Sequence, residues 1–344
     1  MATMKIPMTV PSPRVDAEQL FKAFKGRGCD ASVIINILAH RNAMQRALIE
    51  QEYETKFSDD LRKRLQSELH GHLKKALLLW MPEAVERDAS ILKQALRGAV
   101  TDHKAVAEII CTRSGSQLRQ IKQVYLNTFG VRVEQDVESE ASGNHKRVLL
   151  AYLNTTRYEG PEIDDKIVEN DARVLKKAVA RKHKSDDQTL IQIFTDRSRT
   201  HLVALRSTYR SMFGKELGKA IRDETRGNFE HVLLTILQCA ENSSFYFAKV
   251  NLISCFLNYK KQFFLEVRSS MTNETLQALR KSVKGLGTDD TALIRMVVTR
   301  AEVDMHYIVS EYRKRYKKTL YNAVQSDTSG HYKTFLLSLL GPNV

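Results

Sequence analysis

The residues of this chain whose spacing could do chemistry are glycine pairs, each followed forty residues later by an acid. The two sets are Gly26, Gly28 and Glu68 near the start, and Gly285, Gly287 and Asp327 near the end. Calcium takes about six to eight oxygen ligands from carboxylates, backbone carbonyls and water. Glycines let a short loop turn its carbonyls outward, and a distant carboxylate can close such a site. A plain helix–helix turn is the alternative, and the repeated forty-residue offset favours calcium over it.

Two other loop types do not fit these residues. A nucleotide-binding P-loop needs a preceding strand and the pattern G-x-x-x-x-G-K-[ST], and the chain offers neither. An EF-hand needs a compact loop of alternating acids, which is also missing from the sequence.

The glycine–acid pattern belongs to a segment that occurs four times. Each copy holds, in one register, an arginine, a tyrosine twelve residues later, an aromatic four further on, an acid and a glycine. The copies are Arg41, Tyr53, Phe57, Glu68, Gly71; Arg113, Tyr125, Phe129, Glu140, Gly143; Arg197, Tyr209, Phe213, Glu224, Gly227; and Arg300, Tyr312, Tyr316, Asp327, Gly330. Such repetition predicts four structural units that stack to bury a shared core.

The spacing of apolar residues within a copy is helical. Ile34, Ile37 and Leu38 recur at i, i+3 and i+4, as one apolar helix face requires. We expect an all-α chain with several short helices per copy. The predicted N-caps, each followed by an acid in the first turn, are Cys29, Thr101, Ser185 and Thr288.

Charge and composition limit the partners and the compartment. The formal net charge is +14, which favours polyanionic partners such as nucleic acid or an acidic membrane face. The four cysteines show no paired spacing, and no secretory leader or apolar run of spanning length is visible. These features predict a cytoplasmic protein whose membrane contact is peripheral.

At these residues the chain resembles the annexins, whose repeat carries G-x-G-T followed about forty residues later by an acid. "AHRNAMQR", "LLLWMPEAVERDA" and "SGHYKTFLLSLLG" resemble plant annexins in particular, close to the type numbered five. The resemblance implies a curved disk of four repeats with about five helices each. It also implies calcium (Ca2+) as the cofactor and acidic phospholipid membranes as the partner.

The resemblance assigns calcium ligands position by position. The first site would use carbonyls of Phe24, Gly26 and Gly28 with the Glu68 carboxylate, and the fourth would use Val283, Gly285, Gly287 and Asp327. Thr288 and Asp290 would form a minor adjacent site. Copies two and three carry Val100, Lys182 and Lys184 at glycine positions, so we expect no good calcium site in either.

Basic residues near the loops are candidates for contact with lipid headgroups. They are Lys25, Arg27, Arg181, Lys182, Lys184 and Lys284. A solvated basic loop is the alternative for the run at 181–184. Cys111 and Cys239 fall where plant annexins are said to place a redox-active thiol cluster, and two small core residues are the favoured alternative.

The sequence predicts six segments along the chain. They are a tail at 1–15, repeats at 16–84, 85–158 and 168–249, an insertion at 250–277, and a fourth repeat at 278–344. The insertion lengthens the last connection and begins and ends with residues whose codons can match intron borders. We interpret it as a retained intron that bulges as a poorly ordered loop within the first helix of repeat four.

The predicted function is calcium-dependent binding to acidic phospholipid membranes, in membrane trafficking or calcium signalling, without enzymatic activity. The alternative is a basic helical-repeat scaffold that binds RNA or protein independently of calcium. Actin and small GTPases are the protein partners that the resemblance suggests. DNA binding is not expected, and the chain is expected to be a monomer or a weak oligomer.

Overall fold

A computed structural model describes residues 3–26, 28–179, 187–256 and 289–342, and side chains are described throughout except at 242–256 and 315. These residues form nineteen helices and no strand, as expected of an all-α chain. They divide into two compact units, unit 1 comprising Met1–Ala84 with Phe247–Val344, and unit 2 comprising Val85–Tyr246.

The helices follow the four copies in order. The first copy holds α1 (Pro13–Ala23), α2 (Ala31–Leu38), α3 (Ala43–Phe57), α4 (Leu61–Glu68) and α5 (Gly71–Trp80). The second holds α6 (Ala84–Arg97), α7 (His103–Thr112), α8 (Gly115–Phe129), α9 (Val133–Glu140) and α10 (Gly143–Asn154). The third holds α11 (Asp165–Ala178), α12 (Asp187–Asp196), α13 (Arg199–Phe213), α14 (Leu217–Glu224) and α15 (Gly227–Phe256). The described part of the fourth holds α16 (Asp290–Arg300), α17 (Met305–Tyr316), α18 (Leu320–Asp327) and α19 (Gly330–Leu340).

The tyrosine of each copy is a core residue. All four tyrosines are at most 3% exposed. Each packs edge-on against the aromatic four residues later, with ring centres 5.0–5.2 Å apart. Residues four apart lie on one helix face, so this pair fixes the side of the third helix that turns inward.

The arginines of the first three copies tie helices together. Arg41 donates two hydrogen bonds to Asp16 at 2.6 and 2.8 Å, and Arg113 does the same to Asp88 at 2.6 and 2.8 Å. Arg197 pairs with Asp171 at 2.7 and 3.1 Å. The bidentate geometry makes each pair strong because the planar guanidinium matches the carboxylate. The first two pairs are buried, whereas the Arg197 side chain is 36% exposed.

The acid and the glycine of each copy stand at a helix junction. The acid is the last residue of α4, α9, α14 and α18, and the glycine is the first residue of the next helix. The four glycines have φ between +56° and +66°, a region that side chains disfavour. The junction therefore holds all four acids at equivalent, half-buried positions.

The predicted N-caps are wrong by one residue. Asp30 and Asp102, not Cys29 and Thr101, cap α2 and α7, each through Oδ1 on two backbone amides. Asp289, not Thr288, caps α16, and its Oδ1 accepts from the Ala292 amide at 3.0 Å. A carboxylate is the stronger acceptor at a helix N-terminus, so it takes the cap from the neighbouring hydroxyl or thiol. Ser185 lies outside the described residues.

The insertion begins differently from the expectation. Helix α15 does not stop at residue 249 but continues to Phe256, so the first seven residues of the predicted insertion are helical. The remaining segment, 257–277, lies outside the described residues. In the part of the chain that is described, no helix combines the length and apolar character needed to cross a bilayer.

Candidate metal site

The loop between α1 and α2 is closed by its own backbone. The Asp30 amide donates to the Ala23 carbonyl at 2.8 Å, and Asp30 Oδ1 accepts from the Ser32 and Val33 amides at 3.0 and 3.2 Å. These bonds fix both ends of the loop. The described residues between Ala23 and Asp30 are therefore held close to the two helix ends.

Both glycines of this loop have left-handed backbone conformations. Gly26 has φ +134° and Gly28 has φ +88°. A Cβ added at Gly28 would meet nothing within 4 Å, so the backbone angle, not space, requires glycine there. This is the conformational freedom that the predicted outward carbonyls need.

The candidate carbonyl ligands are not used by the fold. Among the described residues, no hydrogen bond ends on the carbonyl oxygen of Phe24, Gly26 or Gly28. The loop borders a cavity of about 670 Å³, lined by Lys22, Lys25 and Asp30 as well as both glycines. Three carbonyl oxygens in one short turn suit a hard cation such as calcium, which prefers oxygen ligands.

Glu68 is brought to the same loop by Cys29. The Cys29 thiol donates to the Glu68 carbonyl at 3.6 Å, which ties the end of α4 to the α1–α2 loop. The Glu68 side chain is 27% exposed, and its Oε1 lies 3.5 Å from Arg64 Nη1. Arg64 also contacts Asp59 at 2.9 Å, so its guanidinium interacts with two carboxylates. The loop and the carboxylate thus fit the calcium ligand set that the sequence predicts for this copy.

The equivalent loop of the second copy is built differently. Helix α6 runs on to Arg97, the counterpart of Lys25, whereas α1 ends two residues before Lys25. Arg97 donates to Glu140 at 3.0 Å, and Thr101 donates to the same carboxylate at 3.2 Å. Lys25 instead places its Nζ 4.5 Å from the centre of the Phe21 ring. The second acid therefore already has a protein cation where the first has an open loop, which disfavours calcium there.

Several predicted site residues lie outside the described part of the chain. They are Arg27, Arg181, Lys182, Lys184, Val283, Lys284, Gly285, Gly287 and Thr288. Asp327 ends α18 in the register of Glu68. Asp290 accepts a hydrogen bond from the Tyr332 hydroxyl at 3.0 Å and lies 3.5 Å from His72.

The two candidate redox thiols are core residues. Cys111 is 0% exposed and Cys239 is 3% exposed. Burial, followed by the nearby Cys239, raises the pKa of the Cys111 thiol far above its usual range. A protonated, buried thiol is a poor nucleophile, so this environment favours packing over redox chemistry.

The sequence did not predict the ion pairs that distinguish the α1–α2 loop from the α6–α7 loop. The counterparts Lys25 and Arg97 are both basic, and only the structure shows that they point to different partners. A signal was available four residues before each acid, where the first copy has Arg64 and the second has Asp136. Asp136 attracts Arg97 at 2.8 Å and so holds it beside Glu140.

The chain is similar to known proteins in both sequence and structure. The family model described as Annexin matches residues 15–80, 87–152, 170–236 and 275–339. Annexin D5 of Arabidopsis thaliana is 83% identical over 344 residues, covering 100% of both chains. The structure of annexin III superposes with a TM-score of 0.86 at 30% identity, covering 100% of this chain and 98% of that one. Calcium-bound annexin (Sm)1 superposes with a TM-score of 0.76 at 26% identity, covering 99% and 93%.

The four matched segments correspond to the four copies found in the sequence, and the expectation of a plant annexin close to type five is confirmed. Annexins are in general calcium-dependent phospholipid-binding proteins, and classical enzymatic activity is not their main role. The chain belongs to the annexin family.

Proposed function

We propose that this chain binds acidic phospholipid membranes through calcium held in the α1–α2 loop. Carbonyls of Phe24, Gly26 and Gly28 and the Glu68 carboxylate would hold the ion. Its remaining positions would go to water and to lipid phosphate, because calcium takes more oxygen ligands than this loop supplies. The fourth repeat would provide a second site from Val283, Gly285, Gly287 and Asp327, with Thr288 and Asp290 as a minor one.

One observation supports this proposal above the others. Three carbonyl oxygens of a closed turn have no hydrogen bond from the described residues, while Glu68 is tied to that turn by Cys29. Backbone carbonyls normally accept hydrogen bonds. Three neighbouring carbonyls without one are therefore available to bind water or a cation. The second repeat provides an internal contrast, since Arg97 and Thr101 already bind its acid.

Basic residues would add attraction that does not depend on calcium. Lys25 lies at the first loop, and Arg27, Arg181, Lys182, Lys184 and Lys284 are the other proposed contacts. The formal charge of +14 makes a purely electrostatic scaffold for RNA or protein the second candidate function. The protein would act in the cytoplasm, bound peripherally to membranes when calcium rises, in trafficking or calcium signalling.

A test of the first loop exchanges a glycine for the residue that the second repeat carries. Gly28→Val copies Val100 and is made in a chain that already carries Asp327→Asn. A positive φ costs a side chain about 1–2 kcal/mol, so calcium needed for half-maximal binding to phosphatidylserine vesicles should rise roughly tenfold.

The matched control is Gly130→Val, because Gly130 also has a positive φ of +69° and open space around it. It should lower stability by a similar amount and leave the calcium requirement unchanged. Equal calcium requirements for the Gly28 and Gly130 variants would contradict a site in this loop.

A further inference from the structure

Unit 1 contains a cavity that is lined by both cations and apolar side chains. Its volume is about 840 Å³, and it is bordered by residues 3–5 of the tail, by one face of α17 and by the end of the chain at Leu340 and Pro342. Cavities of about 300–1,000 Å³ are the size that small organic ligands fill. None of the lining residues belongs to the α1–α2 loop, so membrane binding through that loop gives this cavity no use.

The tail that forms one wall of the cavity is held in place by specific contacts. The Thr3 hydroxyl donates to the Leu339 carbonyl at 2.7 Å, and Met4 is only 8% exposed. A Cβ added at Gly341 would lie 2.4 Å from the Thr3 carbonyl oxygen. Glycine is the residue that permits so close an approach of two backbones. The wall is therefore part of the packed structure of unit 1.

Helix α17 turns a face of mixed character towards the cavity. The lining residues from this helix and its C-cap recur three and four residues apart, and they are His306, Val309, Ser310, Arg313, Lys314 and Lys317. Residues with this spacing share one helix face, so Val309 lies in the same row as the cations at 313 and 317. Met4, Leu340 and Pro342 add further apolar surface to the lining.

The fixed charges around the cavity are all positive. Its lining holds Lys5, Arg313, Lys314 and Lys317 and no carboxylate. Lys314 contacts Glu311 at 3.1 Å. In the part of the chain that the structure describes, the side chains of the other three cations have no hydrogen bond or ion pair. Cations gathered in one concave site without acids attract an anion from solution.

Lys317 has a backbone conformation that side chains disfavour. It is the C-cap of α17 and has φ +56°. Gly130 and Gly214 hold the same register in copies two and three, at φ +69° and +63°, and Ser58 holds it in the first copy at φ +50°. Glycine adopts this conformation at the least cost, and such strain is often kept where a side chain has a function. Contact between the Lys317 ammonium and an anion would be such a function.

We propose that this cavity binds an organic phosphate that carries a single apolar chain. A phosphate monoester has a charge of about −1.5 to −2, which matches three unpaired cations better than a carboxylate does. The phosphate would lie near Arg313 and Lys317, since guanidinium and ammonium groups are the usual partners of phosphate. The apolar chain would lie against Met4, Val309 and Leu340, where it loses contact with water.

The test measures binding of octyl phosphate to the full chain by titration calorimetry, with EDTA present and without lipid vesicles. The wild type should bind one equivalent. Octanol and inorganic phosphate should each bind at least about tenfold more weakly, because each lacks one half of the ligand. The double variant Arg313→Gln, Lys317→Gln should also lose at least about tenfold in affinity, since hydrogen bonds between charged groups are the strong ones.

The matched control is the double variant Arg173→Gln, Lys177→Gln. These two residues are exposed and lie four apart on α11, so the control removes the same two residue types at the same spacing. It should bind octyl phosphate as the wild type does. Circular dichroism checks that both double variants are folded. If the first is not, Lys5→Gln on the exposed part of the tail should also weaken binding.

Three results would overturn the site. They are absence of octyl phosphate binding in the wild type, equal affinity for octanol and octyl phosphate, and equal losses of affinity in the two double variants. The titration needs neither calcium nor vesicles, so its failure is distinct from a failure of the α1–α2 loop to bind calcium.

Discussion

Two acids in the same register, Glu68 and Glu140, have different surroundings because their neighbours differ. Glu68 has Arg64 on its own helix, and Glu140 has Arg97 from the end of α6 and Thr101 from the loop that follows. In repeat 2 a protein cation, the guanidinium of Arg97, therefore lies beside the acid. We therefore propose that a single register position binds a metal in one repeat and a protein cation in another.

The buried arginine–aspartate pairs are where single substitutions should be most damaging. Asp88 and Arg113 are each 7% exposed and 2.6 Å apart. Asp88→Asn would leave a buried guanidinium without its charge partner, and we expect a loss of about 3–5 kcal/mol in the free energy of unfolding. Urea unfolding followed by circular dichroism measures it.

The control for this prediction is an exposed pair of the same chemistry. Glu169 and Arg173 are 52% and 56% exposed and 3.0 Å apart. Glu169→Gln should change stability by less than about 1 kcal/mol. Similar losses of unfolding free energy in the Asp88 and Glu169 variants would mean that the buried pairs do not stabilise the repeats more than exposed pairs do.

At the scale of helices, the caps explain why each interhelical loop ends where it does. Asp102 closes its loop by donating its amide to the Ala95 carbonyl at 2.9 Å while its carboxylate caps α7. Asp102→Ala should therefore cost about 0.5–2 kcal/mol, measured by urea unfolding. Thr101→Ala should cost less than the cap variant, and the reverse order would restore Thr101 as the cap.

The sequence predicted the parts of the fold that depend on a repeated register. Helical periodicity was confirmed, since Ile34, Ile37 and Leu38 are all at most 5% exposed. The caps were misplaced because a residue with a hydroxyl or thiol and an aspartate stand side by side, and only hydrogen-bond geometry decides between them. The extension of α15 was missed because the segment after residue 249 has no counterpart in the other copies against which to align it.

The candidate site was predictable only where backbone conformation follows from residue type. Gly26 and Gly28 are residues that positive φ requires, so the sequence could place the turn. The partners of Lys25 and Arg97 could not be predicted. A long basic side chain can reach several groups, and only the folded structure shows which of them lie nearby.

At the scale of the whole molecule, His145 should make stability depend on pH. Burial, followed by repulsion from His103, lowers the pKa of His145 from its ordinary value of 6.5 to about 4, so the unfolded chain binds the extra proton first. Stability from this group is complete above about pH 6.5 and is lost as pH falls towards 4, by about 3 kcal/mol at most. Urea unfolding between pH 7 and 4, with EDTA present, measures it.

His145→Leu removes the titrating group and should flatten this part of the pH profile. Burial of Asp171 does not produce the same slope, because Asp171 pairs with His201 and Arg197 and its pKa is lowered below the usual range. Its contribution is present above that range and is lost only at lower pH. An unchanged slope in the Leu variant would mean that His145 is not the group responsible.

The net charge of +14 and the calcium loop make opposite predictions for membrane binding, and one measurement separates them. Sedimentation with phosphatidylserine vesicles would compare the wild type, the double variant Glu68→Gln, Asp327→Asn, and the control Glu140→Gln, with and without calcium. We predict calcium-dependent sedimentation of the wild type and the control, its loss in the double variant, and weak dependence on salt. Sedimentation that ignores calcium and the substitutions but falls as salt rises would contradict the calcium bridge and make surface charge the cause.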